Sequence, residues 1–257
     1  MIELLKYLQK TKWISRRDFL EMIQEQAVYI NENLVTDIKQ KIEKWDILTV
    51  KLNDKEEYEE KITSLPRFRP VIAVFNKPKW YVVSKSDKHN KTIFELLPKS
   101  RQKDFYYIWR LDKYSHWLLL LTNSPEIVDY YENPKNKIIK IYEVKTDKPL
   151  KTSHIQRLKT WLNVDPEWKI NWEWSELLAF YDVKKVKNIQ WKETLRILLK
   201  EWKNRHIRRL LKALWYNVTD LKRVKVWKYE VWTVKPWKYL IHNIRENKKK
   251  KKKSNKY

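Results

Sequence analysis

The chain contains no glycine among its 257 residues, and this absence constrains its fold more than any other feature. Average usage of about 7% would give roughly 18 glycines in a chain of this length. Glycine takes positive φ in tight turns and after helix C-termini at little cost, because it has no Cβ atom. A chain without glycine must place bulkier residues at those positions.

Tryptophan is in excess, with 15 residues, and several of them lie where a turn calls for glycine. Trp215 follows a helical run and precedes a β-branched segment, which is the usual place of a glycine after a helix. Trp80 and Trp237 come shortly after a proline, and Trp45 occupies the turn before an apolar run. Four tryptophans fall within the polar stretch 161–174, where turn residues are expected.

Two hypotheses account for this pattern. In the first, the tryptophans are glycines translated through the wrong genetic code, with UGA meaning glycine in the source organism. In the second, the protein is rich in tryptophan and stacks these rings on RNA bases between its lysines. Stacking does not explain the missing glycine, so we favour the first hypothesis.

Composition excludes several classes of site and location. The chain has no cysteine, which removes disulfides, thiolate nucleophiles and cysteine-bound metals. No run approaches 18 apolar residues and the N-terminus does not resemble a signal peptide, so we expect a cytoplasmic protein without a membrane span. Lysine and arginine number 57 against 32 acidic residues, a net charge of +25. Such a charge favours nucleic acid as the partner.

Charge and patterning divide the chain into four parts. We predict a small α/β module over residues 1–52, an acidic linker over 53–67, a large domain over 68–244 and a disordered basic tail over 245–257. The net charge is −3 for residues 1–60, +21 for residues 61–244 and +7 for the tail. The large domain is therefore the main cationic surface.

Three motifs in the large domain carry candidate chemistry. Asp112 lies between a polar turn and the apolar run LLLLT, in a basic setting that suits a nucleophile or a plain surface ion pair. Tyr142 sits in a predicted strand over 141–144, as a core or an active-site residue. Arg205, Arg208 and Arg209 open a predicted helix, where they either bind an anion or form a solvated basic face.

Together these motifs resemble the RsuA/RluB family of ribosomal RNA pseudouridine synthases. The segments that carry the resemblance are FNKPKWYVVS (75–84), WRLDKYSHWLLLLTN (109–123), KIYEV (140–144) and EWKNRHIRRLLKALWYNVTDLKRVKVW (201–227). Those that contain tryptophan match the family pattern best when it is read as glycine. The segments KWISRRDFLEMI and AVYINENLV likewise resemble the S4 RNA-binding domain that precedes the catalytic domain in this family.

The resemblance implies an α+β fold, with an S4-like module followed by a catalytic domain built on a mixed, largely antiparallel sheet. It makes Asp112 the catalytic nucleophile, Tyr142 the residue that stacks on the extruded uracil, and Arg208 the basic partner of the aspartate. Arg110 would help to hold the position that the extruded base vacates. The family needs no metal or cofactor. If the rings of Trp109 and Trp117 are real, we expect them to crowd the uracil pocket.

We assign RNA binding to Arg110, and also to Arg16, Arg17, Lys77, Arg205 and Arg209. The expected partner is ribosomal RNA, with a preference for the large subunit, or a ribosomal assembly intermediate, and the enzyme is expected to be a monomer. The main alternative is a non-catalytic RNA-binding protein with an S4 module. A metal-dependent nuclease is disfavoured because the sequence has no suitably spaced carboxylate cluster.

Overall fold

The computed structural model describes residues 1–12, 14–53, 56–66, 69–164, 176–187, 193–201 and 203–244. The chain divides into two compact units, Met1–Phe68 and Arg69–Tyr257. The basic tail and three of the four tryptophans within 161–174 lie outside the described residues. No helix in the described ranges is long and apolar enough to cross a membrane.

The first unit packs two helices beside short strands. Its elements are β1 (Ile2–Glu3), α1 (Leu4–Thr11), α2 (Arg16–Gln24), β2 (Val28–Ile30), β3 (Asn33–Leu34), β4 (Lys41–Ile42), β5 (Ile47–Asn53) and β6 (Glu56–Lys61). Helix α2 begins with a capping box, in which the Ser15 hydroxyl accepts from the Asp18 amide and the Asp18 carboxylate accepts from the Ser15 amide. Phe19, on the inner face of α2, is completely buried in the core of this unit.

The acidic stretch predicted as a linker contains a strand. Residues Glu56–Lys61 form β6, which pairs antiparallel with β5 and completes a four-stranded sheet in the order β3-β2-β5-β6. The side chain of Tyr58 packs against the core of the unit, and the buried Ile62 follows the strand. The linker prediction over 53–67 was therefore wrong for these residues, because alternate residues of an edge strand can be charged and still leave one face to pack.

The second unit is built mainly from strands. Its elements are β7 (Val71–Lys77), α3 (Lys99–Gln102), β8 (Tyr106–Ile108), β9 (His116–Thr122), α4 (Pro125–Glu132), β10 (Lys140–Thr146), α5 (Thr152–Arg157), β11 (Leu162–Val164), β12 (Glu176–Leu178), β13 (Asp182–Lys187), β14 (Glu193–Leu199), α6 (His206–Lys212), β15 (Val218–Val226), β16 (Tyr229–Glu230) and β17 (Tyr239–Asn243), with 3-10 turns at Ile93–Leu96 and Pro134–Asn136.

A nine-stranded sheet organises this unit. The strand order is β13-β14-β10-β15-β9-β7-β17, with β16 added beside β15 and β8 beside β9. The pair β15–β9 is parallel and the other pairs are antiparallel. The α+β class and the mixed, largely antiparallel sheet predicted from the sequence are confirmed.

The apolar run of β9 is buried on both faces of the sheet. Leu119 and Leu121 belong to one hydrophobic cluster, whereas Leu118 and Leu120 belong to the cluster on the other side. Successive side chains of a strand point to opposite faces, so a strand covered on both sides reads as a continuous apolar run. All four leucines are completely buried. The strand is thus a rigid support for the loop that precedes it.

Left-handed backbone is concentrated at tryptophan. Among the described residues nine are tryptophan, and seven of these have a positive φ: Trp45 (81°), Trp80 (74°), Trp109 (50°), Trp117 (84°), Trp215 (65°), Trp227 (50°) and Trp237 (69°). Positive φ is found for only a few per cent of non-glycine residues and is a genuine outlier for bulky ones. The fold therefore places tryptophan where glycine is the favoured residue.

Trp215 ends helix α6 in a Schellman motif. The Tyr216 amide donates to the Leu211 carbonyl at 3.0 Å, and the Trp215 amide donates to the Lys212 carbonyl at 2.8 Å. This pair of bonds requires a left-handed residue just after the helix, which is usually glycine. The sequence predicted a glycine position here.

Two further tryptophans occupy the glycine positions of defined β-turns. The Lys238 amide donates to the Lys235 carbonyl at 3.1 Å, which closes a turn with Pro236 second and Trp237 third. A type II turn needs positive φ at that third position. Trp227 is the first of two residues that join β15 to β16, which is the glycine position of a type II′ hairpin.

Replacing Trp215 by glycine should stabilise the protein. A left-handed non-glycine residue destabilises the folded state by about 1–3 kcal/mol. Glycine removes this strain, but its more flexible unfolded chain costs roughly 0.5–1 kcal/mol of stability. We expect Trp215→Gly to raise the free energy of unfolding by about 1 kcal/mol in urea titrations. Its side chain is 82% exposed, so little packing is lost.

Trp161 supplies the matched control for this substitution. Its side chain is 61% exposed, yet its φ is not positive. Trp161→Gly should therefore leave stability unchanged or lower it. Equal effects of the two substitutions would contradict the assignment of strain to the left-handed backbone.

Candidate active site

Asp112 lies in the loop that joins β8 to the rigid strand β9. A turn closes on it, because the Ser115 amide donates to the Asp112 carbonyl at 3.0 Å. Its carboxylate stays partly exposed, at 31% of the side chain. The loop thus presents a carboxylate to solvent at the end of a buried strand.

Lys77 anchors this loop through hydrogen bonds to its main-chain carbonyls. It ends β7, its side chain is completely buried, and its Nζ donates to the carbonyls of Ser115 at 2.7 Å, Pro78 at 3.0 Å and Asp112 at 3.2 Å. The prediction that Lys77 binds RNA was wrong, because its three ammonium hydrogens are taken up by these loop carbonyls and none of its surface is exposed. Burial lowers the pKa of Lys77 to about 7, and the negative charge of the nearby Asp112 opposes this shift.

Arg223 fixes both ends of the same loop. It lies on β15 with no exposed surface, and it donates from Nε to the Leu118 carbonyl and from Nη2 to the Trp109 carbonyl, each at 2.9 Å. Sequence reasoning missed this residue. The available signal was an arginine inside the strand DLKRVKV, at a position that β-alternation places on the same face as Leu221 and on the opposite face from Lys222.

Tyr142 and Arg208 line one pocket with Asp112. The side chains of β10 alternate between buried and half-buried, and Tyr142 is one of the buried ones. Arg208 reaches the pocket from the first turn of α6. Arg208 Nε lies 3.7 Å from Asp112 Oδ2, and Arg208 Nη1 donates to the Val218 carbonyl at 3.2 Å. The three residues that the family resemblance singled out are therefore neighbours.

The electrostatic setting of Tyr142 combines two opposing effects. Burial raises the pKa of the phenol above its ordinary value, and the Arg223 guanidinium acts to lower it. The phenol therefore stays neutral near pH 7, with a cation close by that would stabilise its ionised form. A neutral buried ring suits stacking on a planar base.

The pocket is small, with a volume of about 40 Å³. Arg205 and Arg208 belong to the lining, at the start of a short helix. Two guanidinium groups therefore line the same pocket as the Asp112 carboxylate.

Comparison with known proteins places this geometry in a family. The sequence pattern of the family described as "RNA pseudouridylate synthase" matches residues 71–213, a range that contains Asp112, Tyr142 and Arg208. The chain belongs to the RNA pseudouridylate synthase family. As a pseudouridine synthase, it converts uridine to pseudouridine in RNA.

Individual relatives agree with this assignment. The chain is 29% identical over 210 residues to "Ribosomal large subunit pseudouridine synthase B" of Bacillus subtilis, covering 81% of this chain and 79% of the relative. It is 26% identical over 223 residues to an "Uncharacterized RNA pseudouridine synthase" of Aquifex aeolicus, covering 86% and 84%. A solved structure titled "Crystal structure of pseudouridylate synthase" shares the fold with a TM-score of 0.59 at 18% identity, covering 95% and 96%.

The structure separates the remaining basic residues of the synthase into two groups. Arg110 is exposed at the pocket mouth, and Arg16 and Arg17 are exposed at the start of α2 in the first unit. Arg209 is buried, and it donates to the Glu176 carboxylate at 2.7 Å and to the Val164 carbonyl at 3.1 Å. The prediction that Arg209 binds RNA was therefore wrong, because its buried guanidinium donates its hydrogen bonds to groups of the protein.

The rings of Trp109 and Trp117 do not crowd the Asp112 pocket, contrary to expectation. Neither residue belongs to its lining. Trp109 packs edge-to-face on Tyr131 with ring centroids 6.0 Å apart, and Trp117 packs on Trp232 at 6.1 Å. In the described ranges, no three His, Asp or Glu side chains are grouped so that they could hold a metal ion.

Replacing Lys77 by methionine should loosen the Asp112 loop. The substitution keeps the buried stem but removes the donor shared by the loop carbonyls, and each buried polar group left unsatisfied costs about 1–3 kcal/mol. We expect the free energy of unfolding to fall by at least about 1–3 kcal/mol, measured by urea denaturation. The rate of uridine isomerisation should fall more than the affinity for RNA.

Lys79→Met is the matched control, because Lys79 lies two residues along and forms a partly exposed ion pair with Asp220. Exposed ion pairs contribute about 1 kcal/mol or less. If Lys77→Met were no more destabilising than Lys79→Met, the anchoring role of Lys77 would be refuted.

Proposed function

We propose that this synthase isomerises a uridine of ribosomal RNA, with Asp112 as the nucleophile. The observation that carries the proposal is the convergence of Asp112, Tyr142 and Arg208 on one pocket, with the Arg208 Nε and Asp112 Oδ2 atoms 3.7 Å apart. A non-catalytic RNA-binding protein has no need for a carboxylate, a buried phenol and a guanidinium around the same small cavity. The catalytic reading is therefore preferred to that alternative.

The reaction rearranges bonds without any net gain or loss of atoms. The bond from C1′ to N1 of the uracil breaks, the base rotates, and C1′ forms a new bond to C5. The hydrogen on C5 leaves as a proton, and N1 gains a proton. The Asp112 carboxylate attacks either the uracil ring or the sugar, and it is released when the new bond forms.

Each neighbour of Asp112 has a proposed part in this sequence. Arg208 orients the carboxylate through their charge pair. The Tyr142 ring stacks on the base while it is detached. Its hydroxyl gives up its own proton to the solvent, from which N1 gains one, and the resulting phenolate oxygen receives the proton from C5. The cost of forming a phenolate there is lowered by Arg223, whose guanidinium acts against the effect of burial on the Tyr142 pKa.

Ribosomal RNA is the proposed substrate because of charge and of the names of relatives. Residues 61–244 carry a net charge of +21, which suits binding to a phosphate backbone. The Bacillus subtilis relative is named for the ribosomal large subunit, and we extend that substrate, or an assembly intermediate containing it, to this enzyme. The target uridine must be extruded from its stack to reach Asp112. We place the enzyme in the cytoplasm as a monomer.

The unit Met1–Phe68 is proposed to be an S4-like RNA-binding domain. Its support is the sequence resemblance around α2, together with the exposure of Arg16 and Arg17 on the first turn of that helix. Two adjacent exposed arginines can contact phosphates. Residues 248–253 of the tail are all lysine and are proposed to add affinity without taking part in the chemistry.

Asp112→Asn should abolish pseudouridine formation while leaving RNA affinity nearly unchanged. The amide keeps the size of the side chain but removes the nucleophile, and phosphate contacts elsewhere dominate binding. The measurement is pseudouridine mapping on ribosomal RNA transcripts incubated with each variant, together with a binding titration. The control is Asp129→Asn on the exposed side of α4, which should react like the wild type. Turnover by Asp112→Asn would rule out Asp112 as the nucleophile.

We further propose that the printed tryptophans are glycines in the native protein. Support comes from the seven left-handed tryptophans, from the three glycine-type turns at Trp215, Trp227 and Trp237, and from the family motifs. The Trp117 indole N–H adds a separate observation, because it is buried without any hydrogen-bond partner. A buried donor without a partner costs about 1–3 kcal/mol.

A version of the chain with glycine at all 15 tryptophan positions should be more stable than the printed sequence. Each left-handed tryptophan destabilises the folded state by about 1–3 kcal/mol. Relieving several of them is a large change relative to a total stability of about 5–15 kcal/mol. Thermal unfolding and isomerisation of ribosomal RNA would be compared for the two versions. Equal stability and activity of the printed version would make tryptophan a real feature of this enzyme.

A further inference from the structure

A second and larger cavity lies beside the Asp112 pocket and has no part in the chemistry described above. Its volume is about 640 Å³, within the range of about 300–1,000 Å³ typical of ligand sites. Arg110 and Lys203 line both cavities. The two cavities are therefore adjacent, and a polymer whose reacting nucleotide enters the Asp112 pocket can extend into this one.

The charge of the lining favours an anion. Four cations line the cavity, namely Arg110, Lys140, Lys200 and Lys203, against the two carboxylates of Glu132 and Glu201. Glu132 is already engaged, because its Oε1 accepts the Trp109 amide at 2.8 Å. The cavity thus has more positive charge than its own acidic residues balance.

Lys140 is the distinctive member of this lining. Its side chain is 1% exposed. Glu201, which lines the same cavity, acts to raise the pKa of Lys140 against the effect of burial, but in the described ranges no carboxylate lies within ion-pair distance of its Nζ. The Nζ donates to the Lys200 carbonyl at 3.1 Å and lies 4.2 Å from the centre of the Trp109 ring. A buried ammonium group without an anion in contact is costly, and an anion bound at this wall would offset that cost.

The same cavity offers a surface for a planar ring. Tyr107 and Tyr131 belong to the lining, and aromatic side chains bind bases with little regard to sequence. With glycine at position 109, the cavity would widen and Lys140 would lose its aromatic neighbour. The need of the ammonium group for a ligand would then increase.

We propose that this cavity binds the nucleotide next to the target uridine, with its phosphate on Lys140 and its base against the aromatic wall. The inference rests on the proposed function, since it takes RNA as the molecule that reaches Asp112. The ligand class is a ribonucleotide within a chain. Lys140 is a binding residue of this subsite and has no role in bond rearrangement.

The test measures binding of hexauridylate as a function of salt. Each phosphate contact in single-stranded nucleic acid contributes about 0.7 to the slope of log affinity against log salt. A hydrogen bond to a charged group corresponds to roughly a tenfold or larger change in affinity. Lys140→Met should therefore weaken binding about tenfold and reduce the salt slope by about 0.7.

Lys85→Met is the matched control. Lys85 likewise donates to main-chain carbonyls, those of Gln102 and Lys103, but it is exposed and lines a different cavity of about 330 Å³. Its replacement should change neither affinity nor slope. Lys200→Gln serves as a second variant, because this half-buried lysine lines only the large cavity and its loss should not prevent folding. It should weaken binding in the same direction.

Two results would overturn the inference: binding by Lys140→Met and Lys200→Gln that equals binding by Lys85→Met, or a loss of affinity with no change in slope. Binding of hexauridylate requires neither turnover nor the correct ribosomal target. A chain that binds it through Lys140 but never modifies ribosomal RNA would contradict the proposed function alone. A chain that modifies ribosomal RNA and is insensitive to Lys140 would contradict this inference alone.

Discussion

Two left-handed residues, at positions 109 and 117, set the path of the segment that carries Asp112, and the proposed active site depends on them. Their φ values are 50° and 84°, so the chain turns sharply on leaving β8 and again on entering β9. Arg223 holds the carbonyls at both ends of this path, and Lys77 holds those in the middle. The carboxylate is positioned by main-chain geometry and by buried cations, while its own side chain pairs with Arg208 and stays partly exposed to solvent.

This arrangement explains why cationic residues of the enzyme have different roles. Lys77, Arg209 and Arg223 are buried and each donates to two or more groups of the protein, so they stabilise loops and do not contact RNA. Arg110, Arg16 and Arg17 are exposed and available to phosphates. The net charge of the chain does not distinguish the buried cationic residues from the exposed ones. Only the fold separates the cations that build the site from those that attract the substrate.

Sequence patterns predicted the parts of the fold that depend on local chemistry. The buried run of β9 and the helix that Arg205 precedes both follow from spacing and residue type. The role of Lys77 and Arg223 could not be predicted, because it depends on carbonyls contributed by distant parts of the chain. The acidic strand β6 was missed for a similar reason, since an edge strand takes its register from a partner and not from its own composition.

The central claim is that glycine geometry at the tryptophan positions builds this enzyme, and the composition of the native protein tests it most directly. The measurement is mass spectrometry of peptides from the protein isolated from the cells that encode it. The account predicts glycine at positions 109 and 117 around Asp112, and at the turn positions 215, 227 and 237. Peptides that carry tryptophan at these positions would contradict it.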